Sequence, residues 1–345
     1  MARVAVLMSG GVDSSVAAAL LTQQGHEVTG ITARMSGPSS ACCDDEDIYV
    51  ARRVCDRLGI AHIVLDLRKD FDLRVLGPFI EGYFEGLTPN PCAVCNREIK
   101  LGKILGLALR SGFDRLASGH YARIGRIGAR PVLCEPAEGR KSQVYFLALV
   151  GPEVLDHLEF PLGDIEKHRV REIAANLGLA VRQGESQDLC FVPAGGYRRI
   201  LSDRWDGPEA GDVLDSAGSV VGRHRGHYTY TVGQRFGLRG RRYYVIEKHA
   251  GTNQIVIAER DSALKRSITV SSCNLLMPLD DLPGGDLTIK YRYNSPRVGA
   301  KVVETDGRSI TFRASKPCFA PAPGQILACY WRDCMVCGGI IESAA

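Results

Sequence analysis

The chain contains no apolar run approaching the ~18 residues that a membrane span requires, which excludes a transmembrane helix. Its opening apolar stretch, Val4 to Met8, is shorter than the ~7 to 15 residues of a secretory h-region, and no cleavage-like site follows it. These absences predict a cytoplasmic protein that does not engage a membrane. Charge of one sign is scarce too. The 43 Lys and Arg against 39 Asp and Glu leave a net +4, which permits a nucleic-acid partner through a local patch and demands none. No repeat or low-complexity segment stands out, so repeat architectures are set aside.

What remains is ordinary globular composition, 45% hydrophobic and 24% charged, in 345 residues, enough for two or three domains at ~100 to 200 residues each. The 12 cysteines sit in a chain too long for a stapled mini-scaffold and without an export signal. They are expected to be reduced, and some to be reactive.

The most informative stretch is Ser9-Gly10-Gly11-Val12-Asp13-Ser14-Ser15. The run before it reads as a buried strand, and Ser14 to Leu21 as a helix ending near Gly25. Adjacent glycines let the backbone bend tightly towards an anion, and the first N–H groups of the helix point at that anion. The Gly-Lys-Ser/Thr ending of a Walker A loop is absent, as is Gly-x-Gly-x-x-Gly, so the turn is neither a P-loop nor a dinucleotide fingerprint. The plainer alternative is a tight turn capped by Asp13 or Ser14.

Glu27 to Ala33 reads as a second strand, which makes a strand-helix-strand unit and starts an open α/β parallel sheet. Asp44 to Asp47 suit the first turn of a helix, whose dipole favours acids there. Ile63 to Leu67 is a third strand. Asp114 to Ser118 is another, running into Gly119-His120-Tyr121-Ala122-Arg123, a glycine turn at a strand's carboxyl end of the kind that borders the ligand crevice. His120 reads either as a hydrogen-bonded structural histidine or as part of that crevice. The basic loop Gly139 to Gln143 is either a solvated tip or an RNA contact. Beyond residue 205 the chain turns β-rich, with short strands that include Asp212 to Leu214 and Tyr228 to Tyr230, and later ones at barrel-like spacing.

Seven of the 12 cysteines fall in four informative places. In Thr88 to Lys100 two prolines set an extended approach to a helix over Asn96 to Leu109, which puts Cys95 at a helix N-terminus, where a thiol's pKa falls. The Cys92-x-x-Cys95 spacing alone serves zinc, redox and iron–sulfur chemistry alike. Cys190 lies in the polar-to-apolar turn Gly184 to Pro193, where a buried structural thiol is the plain reading. Cys42 and Cys43 either reach a catalytic cysteine or are small buried hydrophobes. Cys334 and Cys337 have the spacing of half a zinc knuckle with no second pair.

Read together, these stretches resemble the tRNA-specific 2-thiouridylase family. The likeness rests on Ser9 to Ser15, Thr88 to Pro91 with Cys95-Asn96, Gly119 to Arg123, Gln187 to Phe191, Tyr230 to Leu238, Tyr291-Arg292-Tyr293 and Pro323-Gly324-Gln325, and it spans nearly the whole chain. It implies a parallel-sheet N-type ATP pyrophosphatase domain over 1–205, a small mostly-β module over 206–265 and a C-terminal, tRNA-binding β-barrel over 266–345. It also implies an enzyme that adenylates the C2 carbonyl oxygen of wobble uridine 34 in tRNA and replaces AMP with sulfur, giving 2-thiouridine.

By the same resemblance ATP, with Mg2+ on its phosphates, contacts Leu7, Met8, Ser9, Gly10, Gly11, Val12, Asp13, Ser14, Ala33 and Gly119, with Asp13 anchoring metal or pyrophosphate. Cys190 takes a persulfide from a sulfur donor, a cysteine desulfurase or a persulfide relay protein. Cys95 then opens that persulfide, leaving a Cys95–Cys190 disulfide to be reduced. The target base falls to Asn90, Pro91 and Cys92, and tRNA contacts to His120, Lys141, Ser142, Gln143, Arg292, Tyr293 and Gln325. Many relatives carry aspartate where this chain has Cys92. That departure raises a second expectation, a [4Fe-4S] cluster on Cys92, Cys95 and Cys190 whose unique iron binds sulfide. An adenylating ligase that does not thiolate, or a non-catalytic RNA-binding protein, are the readings it competes with.

Overall fold

The computed structural model describes residues 1–35, 45–179, 181, 189–192, 196–282 and 286–345. Cys42, Cys43, Gln187 and Asp188 therefore lie outside the described residues.

The N-terminal half is organised on a five-stranded parallel sheet. Its strands are β1 (Arg3–Leu7), β2 (Glu27–Arg34), β3 (Ala61–Asp66), β4 (Arg115–Ala117) and, after a hairpin taken up below, β7 (Leu158–Glu159), in the order β3-β2-β1-β4-β7. Val4, Ala5 and Val6 of β1 are fully buried, as a parallel strand covered on both faces demands. Helices α1 (Val12–Gln23) and α2 (Asp45–Leu58) lie among those that cover the sheet. Because β2 pairs on one side of β1 and β4 on the other, the strand order reverses at β1. The loops leaving β1 and β4 thus face each other across a switch-point crevice, where open α/β sheets bind ligands.

The second sheet is small and antiparallel apart from one parallel pairing, with strands Arg235–Leu238, Arg241–His249, Gln254–Ala258, Gly211–Leu214 and Val220–His224 in spatial order. It has its own core of Val213, Val245, Ile255 and Ile257. Tyr228 to Tyr230, expected as a strand, is instead a 3₁₀ turn over His227–Thr229. Gly226 enters it at φ +87°, and Asn253 Oδ1 accepts from the His227 N–H, so local polar contacts outweigh the aromatic β propensity.

The C-terminal part is a closed barrel, with strands Leu264–Leu275, Ser309–Phe319, Val298–Thr305, Leu287–Lys290, Ile326–Trp331 and Cys334–Ala344 in spatial order and the last pairing back on the first. The hairpin β5 (Arg123–Ile127) and β6 (Arg130–Cys134) leaves the N-terminal half and extends the barrel sheet, pairing Leu133 with Met335 and Cys134 with Cys334. One apolar cluster consequently runs from Ile99 and Leu105 through Leu133 and Tyr145 to Leu327 and Val336.

Cys134 and Cys334 form a disulfide across this ladder. That corrects the expectation of uniformly reduced thiols, because the cross-strand register brings two cysteines together that lie 200 residues apart in sequence. It also removes the half zinc knuckle, since Cys334 is bonded and Cys337 is fully buried in a barrel strand. Among the described residues no helix is long and apolar enough to cross a membrane.

Candidate active site

The turn after β1 is built as a cradle. Gly10 adopts φ +71°, and a Cβ there would come within 3.0 Å of the Asp47 carbonyl oxygen. Helix α1 starts at Val12 with Gly11 as N-cap, and no side chain caps its leading N–H groups. Asp13 and Ser14 are therefore not caps. Ser14 Oγ accepts from Ser9 N–H at 3.2 Å and donates to the Gly11 carbonyl at 3.0 Å, which folds the turn back on itself. From the opposite loop Gly119 packs flat on this backbone: its Cβ would sit 2.8 Å from both Asp13 C and Ser14 N. Ala33 is buried in β2, and Leu7 and Met8 complete the floor.

Asp13 is already engaged. Lys167 Nζ donates to both its carboxylate oxygens at 2.7 Å and 2.7 Å, and Tyr121 OH donates to Oδ1 at 2.9 Å. The Lys167 side chain is 8% exposed, at the first position of the helix Lys167–Asn176, and its ammonium also lies 5.5 Å from the Tyr121 ring centre. A buried ammonium is tolerable only when paired like this. The carboxylate expected to anchor metal or pyrophosphate thus carries a lysine ammonium beside it.

A second helix carries Cys92 and Cys95. Asn90 caps it, its Oδ1 accepting from the Ala93 N–H at 3.1 Å, and Pro91 occupies the first turn. The α-helix Pro91–Cys95 runs without a break into a π-helical stretch, Asn96–Lys103, and then Ile104–Arg110. The helix begins at Pro91 rather than Asn96, so Cys95 sits a full turn inside it, buried, and Cys92 takes the N-terminal position. Burial first, then the charge of facing Cys190, pushes the Cys92 thiol up to about 11, with nearby Lys100 opposing. His120 donates to or accepts from Ser118 Oγ at 2.8 Å. Burial and the Lys100 charge push its imidazole down to about 3, which keeps it neutral.

The comparisons with known proteins bear on this whole assembly. Profiles described as tRNA methyl transferase HUP domain, tRNA methyl transferase PRC-barrel domain and aminomethyltransferase beta-barrel domain match residues 2–194, 201–259 and 265–341. A protein of Acidithiobacillus ferrooxidans named tRNA-specific 2-thiouridylase MnmA is 38% identical over 98% of this chain and 97% of its own. Namesakes from Treponema denticola and Persephonella marina are 38% and 40% identical, over 99% and 98% of this chain and 98% and 99% of theirs. The chain belongs to the tRNA-specific 2-thiouridylase family.

Several residues that the 2-thiouridylase resemblance assigns to tRNA are holding the protein together. Arg292 donates to the Val232 carbonyl at 2.9 Å and to that of Ala320, bracing the middle module on the barrel. Gln325 Nε2 donates to the Thr88 carbonyl at 3.0 Å, while Thr88 N–H donates to Pro323 O at 2.8 Å, so the barrel straps down the loop before the cysteine helix. Ser142 is buried, its Oγ accepting from Val144 N–H at 3.3 Å, and Gln143 Oε1 accepts from Tyr121 N–H at 2.9 Å. Tyr293 remains presented, 37% exposed, its ring 4.5 Å from that of Phe146. Lys141 lies half-buried in the same basic loop.

A [4Fe-4S] cluster does not fit these 2-thiouridylase residues. Among the described residues no group of three or more Cys, His, Asp or Glu side chains is placed to hold a metal ion. Cys95 is buried in the same apolar cluster against which half-buried Cys190 packs. Lys167 and Lys100 escaped the sequence reading. Lys167 lies 154 residues from Asp13 with no local motif, whereas Tyr121 stood in plain view beside Gly119-His120.

Proposed function

We infer that this chain is a tRNA-uridine 2-sulfurtransferase, which uses ATP to adenylate the C2 carbonyl oxygen of uridine 34 and exchanges AMP for sulfur. The observation that carries the reading is the uncapped N-terminus of α1 at the β1–β4 switch point, with a buried ammonium at its base, in a full-length relative of 2-thiouridylases. The carbonyl oxygen is a poor leaving group. Transfer of AMP to it makes a good one, and pyrophosphate leaves into the turn, where helix N–H groups and Lys167 meet its charge. Asp13 and Tyr121 hold that ammonium in place. Mg2+ enters on the phosphates of ATP as part of the substrate and spreads their charge.

Sulfur chemistry follows between Cys95 of the cysteine helix and Cys190 in its turn. A donor loads a terminal sulfur on Cys190. Cys95 attacks the inner sulfur, the S–S bond breaks, and the released sulfide adds to C2 and expels AMP. The two cysteines end as a disulfide that a reductant must open. The Cys134–Cys334 bond joins a different pair and takes no part in this cycle.

The test supplies tRNA, ATP and a persulfide donor and follows AMP together with nucleosides by mass spectrometry. AMP formation dependent on tRNA, with 2-thiouridine appearing at position 34, is expected. Thiolation surviving in Cys95→Ser and Cys190→Ser variants, or AMP formed without tRNA and without thiouridine, defeats the reading in favour of another adenylating ligase.

A further inference from the structure

The middle module carries a cavity of about 820 Å³ whose lining takes no part in the chemistry proposed above, within the ~300 to 1,000 Å³ of ligand sites. Its wall joins the helix Tyr197–Ser202, a few residues beyond Cys190, to the strand Val220–His224 and the 3₁₀ turn that follows. Two features give it a chemistry. Exposed Arg198 and Arg225 line it together with Tyr230, so two guanidiniums and an aromatic ring border one space. His224, 4% exposed in the wall, packs edge-on against the Tyr230 ring, with the two ring centroids 5.6 Å apart.

Resting on the function proposed above, we infer that this cavity takes one unstacked nucleotide of the RNA substrate, its phosphate on Arg198 and Arg225 and its base against Tyr230. Planar guanidiniums suit a phosphate, and an aromatic face suits an unstacked base. Location agrees with the assignment. Lys248 Nζ bridges the Tyr230 carbonyl at 3.1 Å and the Leu87 carbonyl at 2.7 Å, so the cavity is tied to the loop that leads into the cysteine helix. Among the described residues Glu209 is the one carboxylate in the lining, and Arg223, the remaining arginine there, is taken up by Asp212 at 2.7 Å.

The experiment measures binding of unmodified tRNA to the full chain by fluorescence anisotropy over a series of salt concentrations. Arg198→Ala with Arg225→Ala is expected to weaken tRNA about tenfold or more and to lower the slope of log affinity against log salt by about one to two, leaving ATP affinity unchanged. Tyr230→Leu, which removes the aromatic face and keeps both arginines, is expected to weaken tRNA with the salt slope retained. Unaltered affinity and slope in the double arginine variant overturn the site. So does a Tyr230→Leu protein whose melting temperature falls while its tRNA affinity does not. Wild-type protein that binds tRNA with this arginine dependence but makes no thiouridine overturns the function and leaves the site standing; wild-type protein that binds no tRNA overturns both.

Discussion

The ammonium of Lys167 makes the sharpest single-residue claim, because a Walker A loop carries its lysine in its own sequence and this turn receives one from a helix far along the chain. Lys167→Met is expected to lower kcat/KM for ATP by about tenfold or more, the equivalent of one lost charge-assisted hydrogen bond at ~1.5 to 3 kcal/mol, with tRNA affinity unchanged. Lys167→Arg should restore part of it. A purely structural ion pair would instead lower the melting temperature and leave pyrophosphate product inhibition where it was. His120 gives a second claim. Its imidazole is held neutral down to about 3 in the folded protein, against the usual value of 6.5. Between those values the unfolded chain binds the extra proton, so stability falls as pH falls through that window. His120→Asn should show a shallower loss of stability than wild type between pH 6.5 and 3, measured by urea unfolding; parallel curves would show that the imidazole does not titrate as described.

At the scale of elements, the cysteine helix shows what a local reading captures and what it misses. Asn90 and Pro91 are strong start signals, a side-chain cap and a first-turn proline, yet two prolines in four residues also read as an extended approach, and that reading sets the start late and puts Cys95 at the wrong position. Asn90→Ala removes the cap to Ala93 and should cost ~1 kcal/mol, seen as a lowered urea midpoint. Asn90→Asp keeps the acceptor and should cost less. The π-helical turn that follows has no periodic signature in the sequence. It depends on Gly102, where a Cβ would lie 2.2 Å from the Arg97 carbonyl oxygen. By contrast, the strand-glycine-helix turn at Ser9 to Ser15 was legible because the hydrogen bonds that fold its backbone are local, while Asp47, Gly119, Tyr121 and Lys167 meet it from far along the chain.

For the whole molecule, the parallel sheet, the β-rich second half and the barrel could be read from alternating and continuous apolar runs. The annexation of the hairpin β5–β6 by the barrel could not, since strand partners two hundred residues apart leave no mark in either segment. The same limit hid the strapping roles of Arg292 and Gln325, whose partners are backbone carbonyls of other domains. Lys248, another such tie, is buried with its ammonium pushed down to about 7 from 10.5. Below 7 both folded and unfolded chains hold its proton; between 7 and 10.5 only the unfolded chain does, so stability should rise with pH across that window. Lys248→Met is expected to abolish that rise in thermal melts, and a rise of the same size in the variant would assign it to other groups.

The hairpin also sets where two relatives could be recombined. A chimera that exchanges the barrel at its first strand would keep β6 from one parent and the strand it pairs with from the other, mismatching Leu133 against Met335 and separating the bonded Cys134 from Cys334. The middle sheet, with its own core, is the part that can be exchanged as a block. The heritable unit of the barrel therefore includes twelve residues encoded far upstream of it, from Arg123 to Cys134.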